Sequence, residues 1–186
     1  MNAQCSLSKT CWQRFVLEQN SLIYFGHLAD AGRINDAILK SYLLLDEKDF
    51  KRRSHSFGGR YENLYLDQAR ISELEQVLSQ AGIFAASILG LTQNALKMGF
   101  WFNDMGPGDA TSRHDHDEFD ELLSAVYYVH VPENSGNLII HDPHSQTEVT
   151  PKAGMYVFFS PSVQHSVSVN QSTQRRLSIG MNFGPA

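Results

Sequence analysis

Residues 122–142, "LLSAVYYVHVPENSGNLIIHD", decide the fold class. Two runs rich in Val, Ile and Tyr flank the turn-forming stretch "PENSG", which reads as strand, turn, strand. The same grammar recurs on either side of it. "ALKMGFWFN", "MYVFFS", "HSVSVN" and "RLSIGMNF" are further short apolar runs, separated by the breaks "MGPGD" and "PKAG". Six or more short strands within residues 93–186 predict an antiparallel sandwich or barrel rather than a parallel α/β sheet.

Residues 1–92 have a different period. Ile34, Ile38, Tyr42 and Leu45 recur at three- and four-residue steps, predicting an amphipathic helix between Asp30 and Glu47. A second helix is expected from "SELE", with Ser72 and Glu75 as a capping box, through Leu74, Val77, Leu78 and Ala81, a kink at Gly82, and a stop at Gly90. "SHSFGGRYENLY", residues 54–65, reads as a loop hinged at Gly58 and Gly59. The expected architecture is a single domain, mainly β with flanking helices: a mostly helical flank over 1–92 and a jelly roll over 93–186.

Composition narrows the function classes. The chain has 186 residues, 42% hydrophobic and 19% charged, which is ordinary globular usage, and no apolar run reaches the roughly 20 residues of a membrane span. The formal net charge of −5 argues against a nucleic-acid partner, and the basic cluster Lys48, Lys51, Arg52 and Arg53 reads as a solvated helix end. The N-terminal residues lack a secretory pattern, so a cytoplasmic location with Cys5 and Cys11 as free thiols is expected.

The chemistry concentrates in "TSRHDHDEFDE", residues 111–121. His114 and His116 are two apart, and on a strand residues i and i+2 share a face, so both imidazoles can reach one ion. His165, 49 residues further on and just after a strand and tight turn, is the third candidate ligand. An imidazole-rich site suits Fe, Zn, Cu or Ni, whereas Ca and Mg prefer oxygen. Glu118 shares the strand parity of the histidine pair and stands as an alternative ligand. His130, His141 and His144 read as surface or structural residues. The run "RRLSIGMNF" begins ten residues beyond His165, and in it Arg176 and Ser178 share a strand face and can form a fork for a carboxylate, with Arg175 turned to solvent.

Taken in order, "WFNDMGPGDATSRHDH", "LLSAVYYVHVPENSGNLIIHDP", "VTPKAGMYVFFSPSVQHSVSVN" and "RLSIGMNF" resemble the Fe(II)- and 2-oxoglutarate-dependent oxygenases, within them a small bacterial and phage group. The similarity covers most of residues 55–183. It implies a double-stranded β-helix binding Fe(II) through His114, His116 and His165, with 2-oxoglutarate chelating the iron and its distal carboxylate held by Arg176 beside Ser178. It implies consumption of O2 and 2-oxoglutarate to give succinate and CO2, coupled to C–H oxidation, hydroxylation by default, of a small-molecule or peptide substrate. Asn103 and one of Tyr127 or Tyr128, with Tyr127 preferred, are expected to line the cosubstrate pocket. The chain departs from the superfamily's usual His-x-Asp or His-x-Glu pair: a three-histidine site and a His116/Glu118 pair are both open here.

The same residues also resemble cupin metal motifs, which would recruit His114, His116, Glu121 and His165 for a cofactor-independent dioxygenase, an isomerase or a small-molecule sensor. Arg176 separates the two, because only a 2-oxoglutarate enzyme needs a fixed cation for a distal carboxylate.

Overall fold

The computed structural model describes residues 13–16, 22–116, 120–142 and 145–186. Strands β1 (Gln13–Val16) and β2 (Leu22–His27) precede helix α1 (Ala31–Tyr42), then come β3 (Phe50–Phe57), β4 (Arg60–Leu66) and helix α2 (Leu74–Leu89). The jelly-roll strands follow: β5 (Leu96–Met105), β6 (Thr111–His114), β7 (Leu123–His130), β8 (Leu138–His141), β9 (Gln146–Val149), β10 (Met155–Phe159), β11 (Gln164–Val167) and β12 (Arg176–Pro185). They form an eight-stranded sheet, ordered β1-β2-β10-β7-β12-β5-β4-β3, and a four-stranded sheet, ordered β6-β11-β8-β9. Every pairing is antiparallel in the described residues. Among those residues no helix is long and apolar enough to cross a membrane.

Strand alternation gives the large sheet two working faces. On β12, Leu177, Ile179, Met181 and Phe183 join Ile34, Ile38, Leu74, Leu78 and Phe84 of the helices in one core. Burying side chains of this size is worth roughly 1.5–3 kcal/mol each. The intervening Arg176, Ser178 and Gly180 turn the other way and line a cavity between the sheets. There Tyr128, Leu138, Ile140, Val157 and Phe159 form a second core. One strand thus holds the helices with its odd residues and builds the cavity with its even ones.

Several expectations for residues 1–92 are corrected. Helix α1 ends at Tyr42 instead of running to Glu47, although Leu45 still packs on the core. The Ser72 capping box does not form: the Ser72 hydroxyl donates to Glu73, and the helix begins at Leu74. Helix α2 passes through Gly82 without interruption and stops at Gly90, whose φ of 68° lets the Leu91 amide donate back to the Ala86 carbonyl at 2.9 Å.

The largest difference is the segment read as a loop, which is a β-hairpin. Gly58 and Gly59 have φ of 60° and 85°, the pair of positive values a two-residue hairpin turn needs. Strand β3 is the sheet's edge and mostly solvated, so its polar run "KRRSHS" lacks the apolar alternation that identifies half-buried strands. For the same reason the basic cluster sits largely on an edge strand rather than a helix end, with Lys51 paired to Asp67 and Arg53 to Glu47.

Candidate metal and cosubstrate site

Three imidazoles meet where β6 pairs with β11. The register places His114 opposite His165, and past the end of β6 the His116 amide donates to the Pro161 carbonyl at 2.9 Å, which fixes the chain there. Ring centroids are 4.3 Å apart for His114 and His165, and 5.0 Å apart for His116 and each of the others. One nitrogen from each ring lies within 4.8 Å of the other two. A carbonyl can only accept, so the contacts of His114 Nδ1 with Ser112 O (2.8 Å) and of His165 Nδ1 with Val163 O (3.1 Å) put the proton on Nδ1. Nε2 of both rings is left with its lone pair, the form a metal ligand takes. Burial, reinforced by the neighbouring imidazoles, pushes the pKa of His116 down to about 4 and that of His165 down to about 3. Both rings are therefore neutral near pH 7.

Glu118 lies outside the described residues. Glu121, the carboxylate the cupin set requires, is described and does not join the histidine cluster. His141, read as structural, bonds through Nε2 to the Ser166 hydroxyl at 2.8 Å.

The three histidines line a cavity of about 570 Å³, open mouth included, whose walls also carry Arg176, Ser178, Tyr128 and Asn103. Arg176 is 1% exposed, donates from Nη1 to the Gly136 carbonyl at 2.9 Å, and lies with Cζ 5.1 Å from the centre of the Tyr128 ring. Its Nε and the Tyr128 hydroxyl are buried, and although the guanidinium and the hydroxyl lie close enough to interact, neither of these two atoms makes a well-formed hydrogen bond among the described residues. Such orphaned donors cost on the order of 1–3 kcal/mol each unless a ligand meets them. Arg175 turns to the opposite side and is exposed, as expected, and there it pairs with Asp104 at 2.6 Å.

Tyr127 is corrected. It faces the helices with Leu123, Ala125 and Val129, and its hydroxyl donates to Asn35 Oδ1 on α1 at 2.6 Å. A register shift at Leu177/Ser178 sets Tyr128 opposite Ser178, so Tyr128 is the cavity's tyrosine. Asn103 pairs with Ser178 from the other side and lines the cavity.

Residues not anticipated from the sequence are Trp101, Arg60, Glu62 and Asn63. Trp101 stands two residues before Asn103, and strand parity alone could have found it. Its ring centroid is 5.5 Å from that of His116. Glu62 and Asn63 were hidden by the loop reading of residues 54–65. Arg60 donates to Ala110 O (3.0 Å), Thr111 Oγ1 (3.3 Å), Asp104 O (3.4 Å) and Asn103 Oδ1 (3.5 Å), tying β4 and β5 to the start of the strand that carries His114.

Gly180 makes Trp101 possible: a Cβ there would sit 2.5 Å from the indole. The Gly180→Ala variant is expected to lose about 1–3 kcal/mol of stability from overpacking. It should also bind metal more weakly, because the displaced indole no longer supports His116. Thermal denaturation and a metal titration read the two effects.

Comparisons with known proteins agree with this geometry. Residues 100–184 match the 2OG-Fe(II) oxygenase superfamily. No curated protein matches the sequence. Among solved structures, a Pseudomonas putida prolyl-4-hydroxylase aligns with a TM-score of 0.68 at 19% identity, over 96% of this chain and 94% of its own. A Trichoplax adhaerens prolyl hydroxylase, solved in complex with a hypoxia inducible factor oxygen degradation domain peptide fragment, gives 0.67 at 12% identity, over 87% and 83%. The non-heme alpha ketoglutarate dependent epimerase SnoN from nogalamycin biosynthesis gives 0.65 at 18% identity, over 86% and 76%. At these identities the likeness establishes the double-stranded β-helix fold.

Proposed function

We propose, on the match of residues 100–184 to the 2OG-Fe(II) oxygenase superfamily, that the chain holds Fe(II) on His114, His116 and His165, seats the distal carboxylate of 2-oxoglutarate on Arg176, and oxidises a C–H bond of a second substrate. Arg176 carries this reading: a guanidinium with 1% exposure and an unpartnered Nε, in the same cavity as three clustered imidazoles, calls for a small anion. The donor set fits the metal too, since neutral imidazoles suit iron and leave its charge uncompensated for an anionic chelator.

When bound, the iron and its cosubstrate supply the oxidising chemistry: 2-oxoglutarate and O2 become succinate and CO2, and one oxygen atom goes to the substrate C–H bond. Arg176, steadied by the Gly136 carbonyl and the Tyr128 ring, orients the distal carboxylate, and the Tyr128 hydroxyl supplies a further donor. Ser178 and Asn103 stand beside them on adjacent strands. The Nδ1 contacts of His114 and His165 keep their rings oriented and their Nε2 lone pairs available. Leu138, Phe159 and Val167 on the same walls keep water from surrounding the bound carboxylate.

The substrate class stays at peptide or small molecule. One neighbouring prolyl hydroxylase was solved with a peptide fragment and SnoN is an epimerase from nogalamycin biosynthesis, and hydroxylation is the default outcome for this chain. A cytoplasmic location, where thiols stay reduced, fits the same reading. The cupin alternative loses support, because it needs Glu121 as a ligand and gives Arg176 nothing to bind.

A competition between 2-oxoglutarate and 2-oxobutyrate, which keeps the chelating end and lacks the distal carboxylate, tests the assignment. The expected preference for 2-oxoglutarate is tenfold or more, from about 1.5–3 kcal/mol for hydrogen bonds to a charged group. Equal affinities would remove Arg176 from the cosubstrate site.

A further inference from the structure

The β3–β4 hairpin gives the cavity a wall of acceptors that the cosubstrate does not use. Glu62 lines the cavity with its side chain 7% exposed, and one of its oxygens accepts from Arg60 Nη2 at 3.4 Å. That is long for a charge-assisted bond, which is normally about 2.7–2.9 Å. Arg60 is also shared: its Nε pairs with Asp109 at 3.4 Å, and its remaining donors go to Asn103, Asp104 O, Ala110 O and Thr111. One guanidinium thus divides its donors between two carboxylates and several neutral acceptors, so Glu62 keeps accepting capacity for a further donor in the cavity.

Next to Glu62, Asn63 donates its amide nitrogen to His55 Nδ1 (3.0 Å) and to the Tyr65 hydroxyl (3.4 Å). Both amide hydrogens are spent, so its carbonyl oxygen is what it can offer a ligand. Trp101 lines the same cavity and contributes an aromatic face. A carboxylate, an amide oxygen and an indole make a wall that accepts hydrogen bonds and favours positive charge. It is a poor wall for 2-oxoglutarate, itself a dianion.

We propose that Glu62, Asn63 and Trp101 recognise a cationic nitrogen on the substrate being oxidised, an amine or guanidinium carried by a side chain or a small molecule. The proposal rests on the oxygenase reading of the site and adds to it the charge of the second substrate. Charge then sorts the two ligands within one cavity: the dianion goes to Arg176 and the cation to Glu62.

The test uses protein loaded anaerobically with Fe(II) and 2-oxoglutarate, titrated calorimetrically with n-butylguanidinium and with n-butylurea, which has nearly the same shape and no charge. The guanidinium is expected to bind at least about tenfold more tightly than the urea, the effect of one charge-assisted contact. Glu62→Gln, which retains an oxygen for Arg60, is expected to abolish that preference while the iron and 2-oxoglutarate stay bound. Equal binding of the two probes to the natural protein, saturable binding of neither, or a preference that survives Glu62→Gln overturns the proposal. The comparison on the natural protein decides the matter even if the variant does not fold. If the natural protein fails to bind 2-oxoglutarate, the oxygenase reading falls, and this proposal with it. If it binds 2-oxoglutarate without preferring the cation, only the cation proposal falls.

Discussion

Replacing Arg176 with methionine or alanine is expected to weaken 2-oxoglutarate binding by about tenfold to a hundredfold, equivalent to roughly 1.5–3 kcal/mol, while iron binding is retained. The two effects separate because Arg176 is on β12 of the large sheet and the histidines lie on or next to β6 and β11 of the small one. Methionine is the better variant, since it fills much of the volume and removes a buried charge whose Nε has no hydrogen-bond partner among the described residues. Ligand-free stability should therefore change far less than affinity. Tyr128→Phe, which deletes one neutral donor, should cost less than the arginine change, about 0.5–1.5 kcal/mol. Equilibrium titration of each variant gives the order; an unchanged affinity in both Arg176 variants would return the protein to the cupin class.

The second large effect concerns the metal. His114→Ala, His116→Ala and His165→Ala are each expected to reduce bound iron from about one equivalent to near zero, since three monodentate imidazoles cannot spare one of their number. Glu118→Ala is expected to keep its iron. Metal analysis after anaerobic reconstitution and desalting distinguishes the two ligand sets. If His114→Ala keeps iron and Glu118→Ala loses it, the site is a His116, Glu118 and His165 triad and the three-imidazole assignment is wrong.

How far these residues could be read from the sequence follows from the kind of information each position carries. The histidine cluster was legible because ligand chemistry restricts residue type, and because a spacing of two puts His114 and His116 within reach of one ion. The jelly roll was legible because its strands bury at least one face and must be apolar. Edge strand β3 has no such obligation, and its polar sequence concealed both the hairpin and the Glu62 and Asn63 wall. Tyr127 and Tyr128 could not be separated by local pattern, because β7 is buried on both faces and either tyrosine is acceptable on either side. Only the register with β12 decides between them. The hydrogen bonds of Arg60 to Asn103 and Thr111 span 43 and 51 residues, and no periodicity in the sequence announces contacts of that range.

The central claim is that one cavity holds Fe(II) on three histidines and 2-oxoglutarate on Arg176. Its most direct test is an anaerobic titration of the metal-free protein with Fe(II) and then with 2-oxoglutarate, followed by visible absorption. A weak charge-transfer band that appears only when both are present, saturates near one equivalent of each, and requires a much higher 2-oxoglutarate concentration in Arg176→Met is the expected result. Tight Fe(II) binding with no band at any 2-oxoglutarate concentration would contradict it.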